Sequence, residues 1–226
     1  MLRILKKRTK EVLRNQQKQQ KNFVRVLGVD EIYLGRKNYV LILSDIERRR
    51  IITILSDRKK ATLEGYFKKL SRKERKAIKV VSMDMWRPYR SAVRRKLPHA
   101  TIVADRFHVM KQLNHQLDLL RRKLRRNEEK DPELAELLKN SRWILLKNRD
   151  TLTQQEEAKL QLILAASPRL RRMYLMKEEF RLISNRIKDR KQADTFLRYW
   201  LFRAEYSDCR YLKKFAKTLL PLTKSF

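Results

Sequence analysis

Every strand-forming run in this sequence lies before residue 105, and every apolar pattern after it recurs at helical spacing. Phe23-Val24-Arg25-Val26-Leu27-Gly28-Val29 is β-rich and nearly free of polar residues, as a buried central strand is. It ends in Asp30-Glu31. Gly35 to Asn38 supplies a turn, Tyr39 to Leu43 a second run, Asp45 to Arg49 another turn, and Arg50 to Leu55 a third run. Short connections make these three an antiparallel meander. Lys59 to Leu70 then carries Leu63, Tyr66, Phe67 and Leu70 at helical spacing. Ile78 to Met83 is a strand ending at Asp84, Trp86 to Lys96 a short helix with Pro88 in its first turn, and Thr101 to Ala104 a fifth strand ending at Asp105. The order β-β-β-α-β-α-β makes the later pairings parallel, since each needs a crossover. The expected fold is therefore α/β: a mixed sheet of three antiparallel and then two parallel strands, followed by an all-helical lobe. In that lobe Val109 to Leu124 marks one long helix and Asp131-Pro132 starts another, running to Leu146. Thr153 to Glu156 forms a capping box, Ser167-Pro168 opens a fourth helix, and a last stretch holds Phe196, Trp200, Tyr211 and Phe215.

Composition narrows the chemistry. The 226 residues contain 58 Lys and Arg against 25 Asp and Glu, a net charge of +33, yet 42% of them are hydrophobic. A core is affordable, and the charge points to a polyanionic partner rather than to disorder. Three glycines cannot build a phosphate-binding loop or a dinucleotide fingerprint, so no nucleotide cofactor is expected. The single cysteine, Cys209, excludes a disulfide framework and a cysteine zinc site within the chain. No apolar run reaches the roughly 18 residues of a membrane span, and no membrane partner is expected.

In so basic a chain, acids that end apolar strands stand out. Asp30, Asp84 and Asp105 each do so, which sets them at the carboxyl edge of a sheet, where open α/β sheets bind ligands. If the first and fourth strands pair in parallel, Asp30 and Asp84 become neighbours. Two close carboxylates repel unless a cation lies between them, and hard oxygens suit Mg²⁺ or Mn²⁺. The alternative is helix capping, for Asp84 before Met85-Trp86 and for Asp105 before Arg106-Phe107. Glu31 faces away from Asp30 on the strand and is expected to pair with a cation rather than bind a metal.

Gly28-Val29-Asp30-Glu31, Tyr39, Met83-Asp84-Met85-Trp86 with Tyr89, Leu97-Pro98-His99-Ala100 and Asp105-Arg106-Phe107-His108-Val109 together resemble the DDE domain of bacterial insertion-sequence transposases of the ISL-three family. The likeness runs from about Leu27 to Thr218. It implies an RNase H-like core with a helical insertion after the fifth strand. It implies Asp30 and Asp84 as the first two catalytic, metal-holding acids, with two Mg²⁺ or Mn²⁺ ions in an intact relative. It further implies phosphoryl transfer on double-stranded DNA, at transposon ends and target DNA, in a homodimer or synaptic complex of the bacterial cytoplasm, associated with the nucleoid. Asp105 and His108 match a motif read as a contact to the scissile phosphate or an orienter of a carboxylate; a satisfied half-buried histidine is the alternative.

The family's third acid is a Glu within a string like N-G-x-x-E-G-x-N, and none of the 226 residues forms that string. Glu178, Glu179 and Glu205 lie in the insertion and are not promoted to the role. The zinc-binding and helix-turn-helix parts of the family are missing too, so no zinc is expected. The chain is expected to be truncated at both ends: a basic leader at 1–22, a partial catalytic core at 23–109, and a helical insertion lobe at 110–226 stopping before the final catalytic helix. Such a chain would be inactive or impaired alone. Two rival readings are a non-catalytic basic DNA-binding remnant and an RNase H-like nuclease or resolvase with its third acid elsewhere.

Among the basic runs, Arg121, Arg122, Lys123, Arg125 and Arg126 are the densest and are assigned to DNA phosphates, against the alternative of solvated helix surface. Trp86, Trp143 and Trp200 fall at helical apolar positions and are expected in the core.

Overall fold

The computed structural model describes residues 23–36, 38–127, 131–187 and 189–223; the basic leader read at 1–22 lies outside them. The chain divides into two compact units at the Asp105–Arg106 junction.

The first unit is a sheet with helices on one face. Its strands are β1 (Val26–Tyr33), β2 (Tyr39–Asp45), β3 (Arg50–Leu55), β4 (Val80–Met83) and β5 (Thr101–Ala104), in the spatial order β3-β2-β1-β4-β5. The β1–β2 and β2–β3 pairs are antiparallel, while β1–β4 and β4–β5 are parallel. This is the mixed sheet read from the strand pattern. The helices are α1 (Lys60–Lys69), α2 (Arg72–Ala77) and α3 (Arg87–Lys96). Sequence periodicity missed α2, a six-residue helix that rests on its capping box: Ser71 Oγ accepts from Glu74 N at 3.2 Å while Glu74 Oε2 accepts from Ser71 N at 2.7 Å.

Strand alternation sends Leu27, Val29, Leu41, Leu43, Val81 and Met83 to one face, where they meet Leu63 and Phe67 of α1 and Tyr89, Ala92 and Val93 of α3. Each Leu, Val, Met or Phe side chain so withdrawn from water contributes about 1.5–3 kcal/mol. That core fixes which face of each strand looks inward, and so which face the intervening residues occupy.

The second unit is all helical: α4 (Arg106–Arg125), α5 (Pro132–Leu137), α6 (Arg142–Leu146), a 3₁₀ turn (Arg149–Thr151), α7 (Gln154–Ala166), α8 (Pro168–Arg186), α9 (Arg190–Glu205) and α10 (Arg210–Thr223). Val109, Leu113, Leu117 and Leu120 form the buried stripe of α4. Phe180, Trp200 and Phe215 pack edge to face with centroids 5.0–5.8 Å apart, and the Trp200 indole donates to the Met176 carbonyl at 2.9 Å.

Two expected helices are each broken in two. The stretch from Asp131 to Leu146 is interrupted before α6, where Asn140 takes a left-handed φ of 55°. The last stretch is interrupted between α9 and α10, where Ser207 Oγ donates to the Ala204 carbonyl at 2.8 Å. The expectation for the tryptophans holds for Trp200 alone: Trp143 is 63% exposed and Trp86 39% exposed. Apolar spacing marks a helical face without saying whether that part of the face is covered. Among the described residues no helix is long and apolar enough to cross a membrane.

Candidate active site

The parallel register pairs Val29 with Met83 and Met83 with Ala104. The next residue in each case is an aspartate, so Asp30, Asp84 and Asp105 stand in one row: Asp84 and Asp105 just past the carboxyl ends of β4 and β5, and Asp30 in the middle of β1, which runs on to Tyr33 instead of ending at Asp30 as its apolar run suggests. Val29 and Met83 point into the core, so alternation turns Asp30 and Asp84 to the sheet face away from α1 and α3. Asp30 is exposed; Asp84 and Asp105 are half-buried. The Asp105 amide donates to the Met83 carbonyl at 2.8 Å, extending the ladder by one bond beyond β4.

Local bonds orient the first two carboxylates. Asp30 Oδ1 accepts from the Glu31 amide at 2.8 Å, and Asp84 Oδ1 accepts from the Met85 amide at 2.5 Å. Asp84 is not the cap of α3; Trp86 holds that position, without a side-chain cap bond, and Pro88 follows in the first turn. Gly28, on the Asp30 face of β1, pairs with Ser44, and a Cβ there would collide with Ser44 Oγ and press on Ile46.

A paired set of hard oxygens on neighbouring strands fits Mg²⁺ or Mn²⁺, which take one or two carboxylates and keep several waters. Among the described residues no group of three or more His, Cys, Asp or Glu is gathered so as to hold a metal ion. The three acids weighed for the third role are engaged within the helical unit or lie at its helix ends. Glu178 is buried and paired with Lys177 at 2.8 Å and Arg181 at 2.9 Å. Glu179 pairs with Arg203 at 2.8 Å. Glu205 is the last residue of α9.

Beneath the row, on the core face, Glu31 is held by two partners. Its Oε1 accepts from the Tyr89 hydroxyl at 2.5 Å, and its Oε2 lies 3.3 Å from Arg58 Nη1. The Tyr89 hydroxyl is also 3.1 Å from the Arg58 carbonyl oxygen. Burial and then the bond to Glu31 push the Tyr89 pKa upward, so the hydroxyl keeps its proton and acts as donor. The Arg58 guanidinium stacks 4.1 Å above the Tyr39 ring and 5.8 Å from the Trp86 ring. The expected cation partner of Glu31 is thus Arg58, and Tyr89 is a second partner that no short-range pattern signalled.

His108 lies in the first turn of α4, half-buried, its ring edge-on to exposed Phe107 with centroids 5.5 Å apart. The basic run at the other end of α4 is divided in role. Arg121 is buried, its Nε donating to Asp118 Oδ1 at 2.8 Å, and Arg122 Nε donates to Asp118 Oδ2 at 2.8 Å. Burial alone would raise the Asp118 pKa, but the bonds and charges of Arg121 and Arg122 outweigh it and hold the carboxyl below its ordinary value. Lys123, Arg125 and Arg126 are exposed. Arg122, Lys123 and Arg126 line a groove of about 460 Å³ with Leu119, Arg210 and Tyr211. Arg210, distant in sequence from the α4 run, is the basic residue of this groove that run-counting missed.

The family model for DDE transposases of the ISL3 type, described as "Transposase", matches residues 27–224. Among curated proteins, the transposase for insertion sequence element IS1001 of Bordetella parapertussis is 28% identical over 200 residues, covering 87% of this chain and 48% of that protein. The transposase for insertion sequence element IS1557 of Mycobacterium tuberculosis is 32% identical over 193 residues, covering 75% of this chain and 44% of that protein. The chain thus spans about half the length of the curated relatives it matches. The fold and the extent of the match agree: this chain belongs to the ISL3 family of DDE transposases.

Proposed function

We propose that the chain carries the metal-binding part of a phosphoryl-transfer site acting on double-stranded DNA in transposition, with Asp30 and Asp84 as its two carboxylate ligands. The observation that carries this reading is the parallel register Val29–Met83, which makes the two aspartates neighbours on one sheet face. A bound Mg²⁺ or Mn²⁺ ion would supply Lewis-acid stabilisation of the phosphoryl oxygens and a more acidic water. The residues contribute position: Asp30 sits on a paired strand, and Asp84 at the end of its parallel neighbour. Asp105 stands next in the row, and His108 follows it as a contact to the scissile phosphate or an orienter of a carboxylate. With two of the family's three acids present, the chain alone is slow or inactive in strand cleavage.

The DNA backbone is assigned to the groove at the end of α4, with Lys123, Arg126, Arg210 and Arg122 as its cations and exposed Arg125 beside it. Arg121 is withdrawn from this role by its burial against Asp118. The reading is tested with duplex DNA carrying the ends of the encoding element, in Mg²⁺ or Mn²⁺. Any nicking by the chain is expected to vanish in Asp30→Ala and Asp84→Ala; a nicking rate untouched by Asp30→Ala overturns it.

A further inference from the structure

The two acids sit at different places in the sheet. Asp30 lies within β1, paired across to Ile42 of β2. Asp84 lies one residue beyond the last β1–β4 pair, in the short segment before α3 begins at Arg87. Two carboxylates side by side repel, so their spacing depends on what holds the segments that carry them. Contacts downstream of Asp84 help to hold its segment. Met85 is buried, Trp86 packs edge-on against Tyr89 with centroids 4.6 Å apart, and Tyr89 reaches across to Glu31, the residue next to Asp30.

We infer that Glu31 and Tyr89 are positioning residues for the acid pair: their hydrogen bond ties the segment carrying Asp84 to the strand carrying Asp30, and so sets the spacing that a divalent cation meets. This rests on the reading of Asp30 and Asp84 as metal ligands. The bond is short, at 2.5 Å, and is buried at the Tyr89 end. Arg58 closes the triangle, with its guanidinium on Glu31 and its carbonyl oxygen near the Tyr89 hydroxyl. Its charge also offsets that of Glu31, which therefore adds little to the repulsion within the row. Glu31 acts on the metal through position only, because its side chain is committed to the opposite face of the sheet.

Mn²⁺ titration of the full chain, followed by the electron paramagnetic resonance signal of free Mn²⁺, tests this without relying on cleavage. Asp30→Asn is expected to abolish binding at the pair. Tyr89→Phe and Glu31→Ala are each expected to weaken it about tenfold, the scale seen when the support of a metal ligand is removed, and the double variant should lose no more than the worse single one. Ser71→Ala, which unsettles α2 in the same unit, should bind Mn²⁺ as the parent does. Far-UV circular dichroism verifies folding; if Tyr89→Phe does not fold, Glu31→Ala and its thermal melt carry the comparison. Parent-like affinity in Tyr89→Phe alongside loss in Glu31→Ala would make Glu31 a ligand and overturn the inference. Fully multiplicative losses in the double variant would overturn it too. Unchanged Mn²⁺ binding in Asp30→Asn would overturn the metal-pair reading itself.

Discussion

Asp118 shows what a buried carboxylate does in this protein when it is structural. It is withdrawn from water and grips Arg121 and Arg122, with Arg142 Nε 3.7 Å away. Its folded pKa is depressed, so its stabilisation is complete above the unfolded value of about 3.9 and is lost as pH falls through the lower folded value. Asp118→Asn leaves Arg121 buried opposite a neutral group and should cost about 3 kcal/mol at pH 7. That cost should shrink steadily below about pH 4, as read from urea unfolding at a series of pH values. Asp45, the last residue of β2, behaves alike: it is fully buried and bonded by Arg48 at 2.8 Å, with Arg50 at 3.4 Å. Sequence reading separated Asp30 and Asp84 from such acids because each follows an apolar run, although β1 itself continues past Asp30 to Tyr33. It could not see Tyr89 meeting Glu31, since those residues are 58 apart and nothing local links them. Lys177 was equally hidden. A lysine 1% exposed, donating to the carbonyls of Leu145 and Lys147 at 3.0 and 2.8 Å, looks like any other helix lysine until the helices are packed.

At the scale of elements, the strands were legible from their β-branched and apolar runs, but the polar pair Asp30-Glu31 was a false stop: β1 continues to Tyr33, paired with β2. The capping box at Thr153 was legible as well: Thr153 Oγ1 accepts from Glu156 N at 3.2 Å and Glu156 Oε2 accepts from Thr153 N at 3.0 Å. Thr153→Ala should destabilise the helical unit by about 1 kcal/mol, with faster amide exchange confined to the first turn of α7. Helix ends without such boxes were the illegible ones. The break before α6 is made by Asn140 in a left-handed conformation, and that before α10 by Ser207 bonding back to Ala204. Asn and Ser are common enough along a chain that neither reads as a stop by itself, and no glycine or proline marks either place.

For the whole molecule, the +33 charge divides into cations that hold the structure and cations turned outward. Arg121 belongs to the first group; Lys123, Arg126 and Arg210 belong to the second. Neutralising a backbone phosphate releases bound counterions, about 0.9 in log–log salt slope per contact. The slope of duplex affinity against salt should therefore fall by about 0.9 for each of Lys123→Gln, Arg126→Gln and Arg210→Gln. Arg121→Gln should leave it unchanged while lowering the unfolding midpoint. Filter binding or fluorescence anisotropy over a range of salt concentrations distinguishes the two groups. The strand order β3-β2-β1-β4-β5 also has a meaning in time. The meander of β1, β2 and β3 closes through short turns, whereas β4 joins β1 only after α1 and α2 have been made. Local pairings form sooner than distant ones. During synthesis, a ribosome that has reached α2 has delivered Asp30 but not Asp84. The pair that would hold a cation comes into being only when the fourth strand docks, so the half-made protein has a sheet but no site.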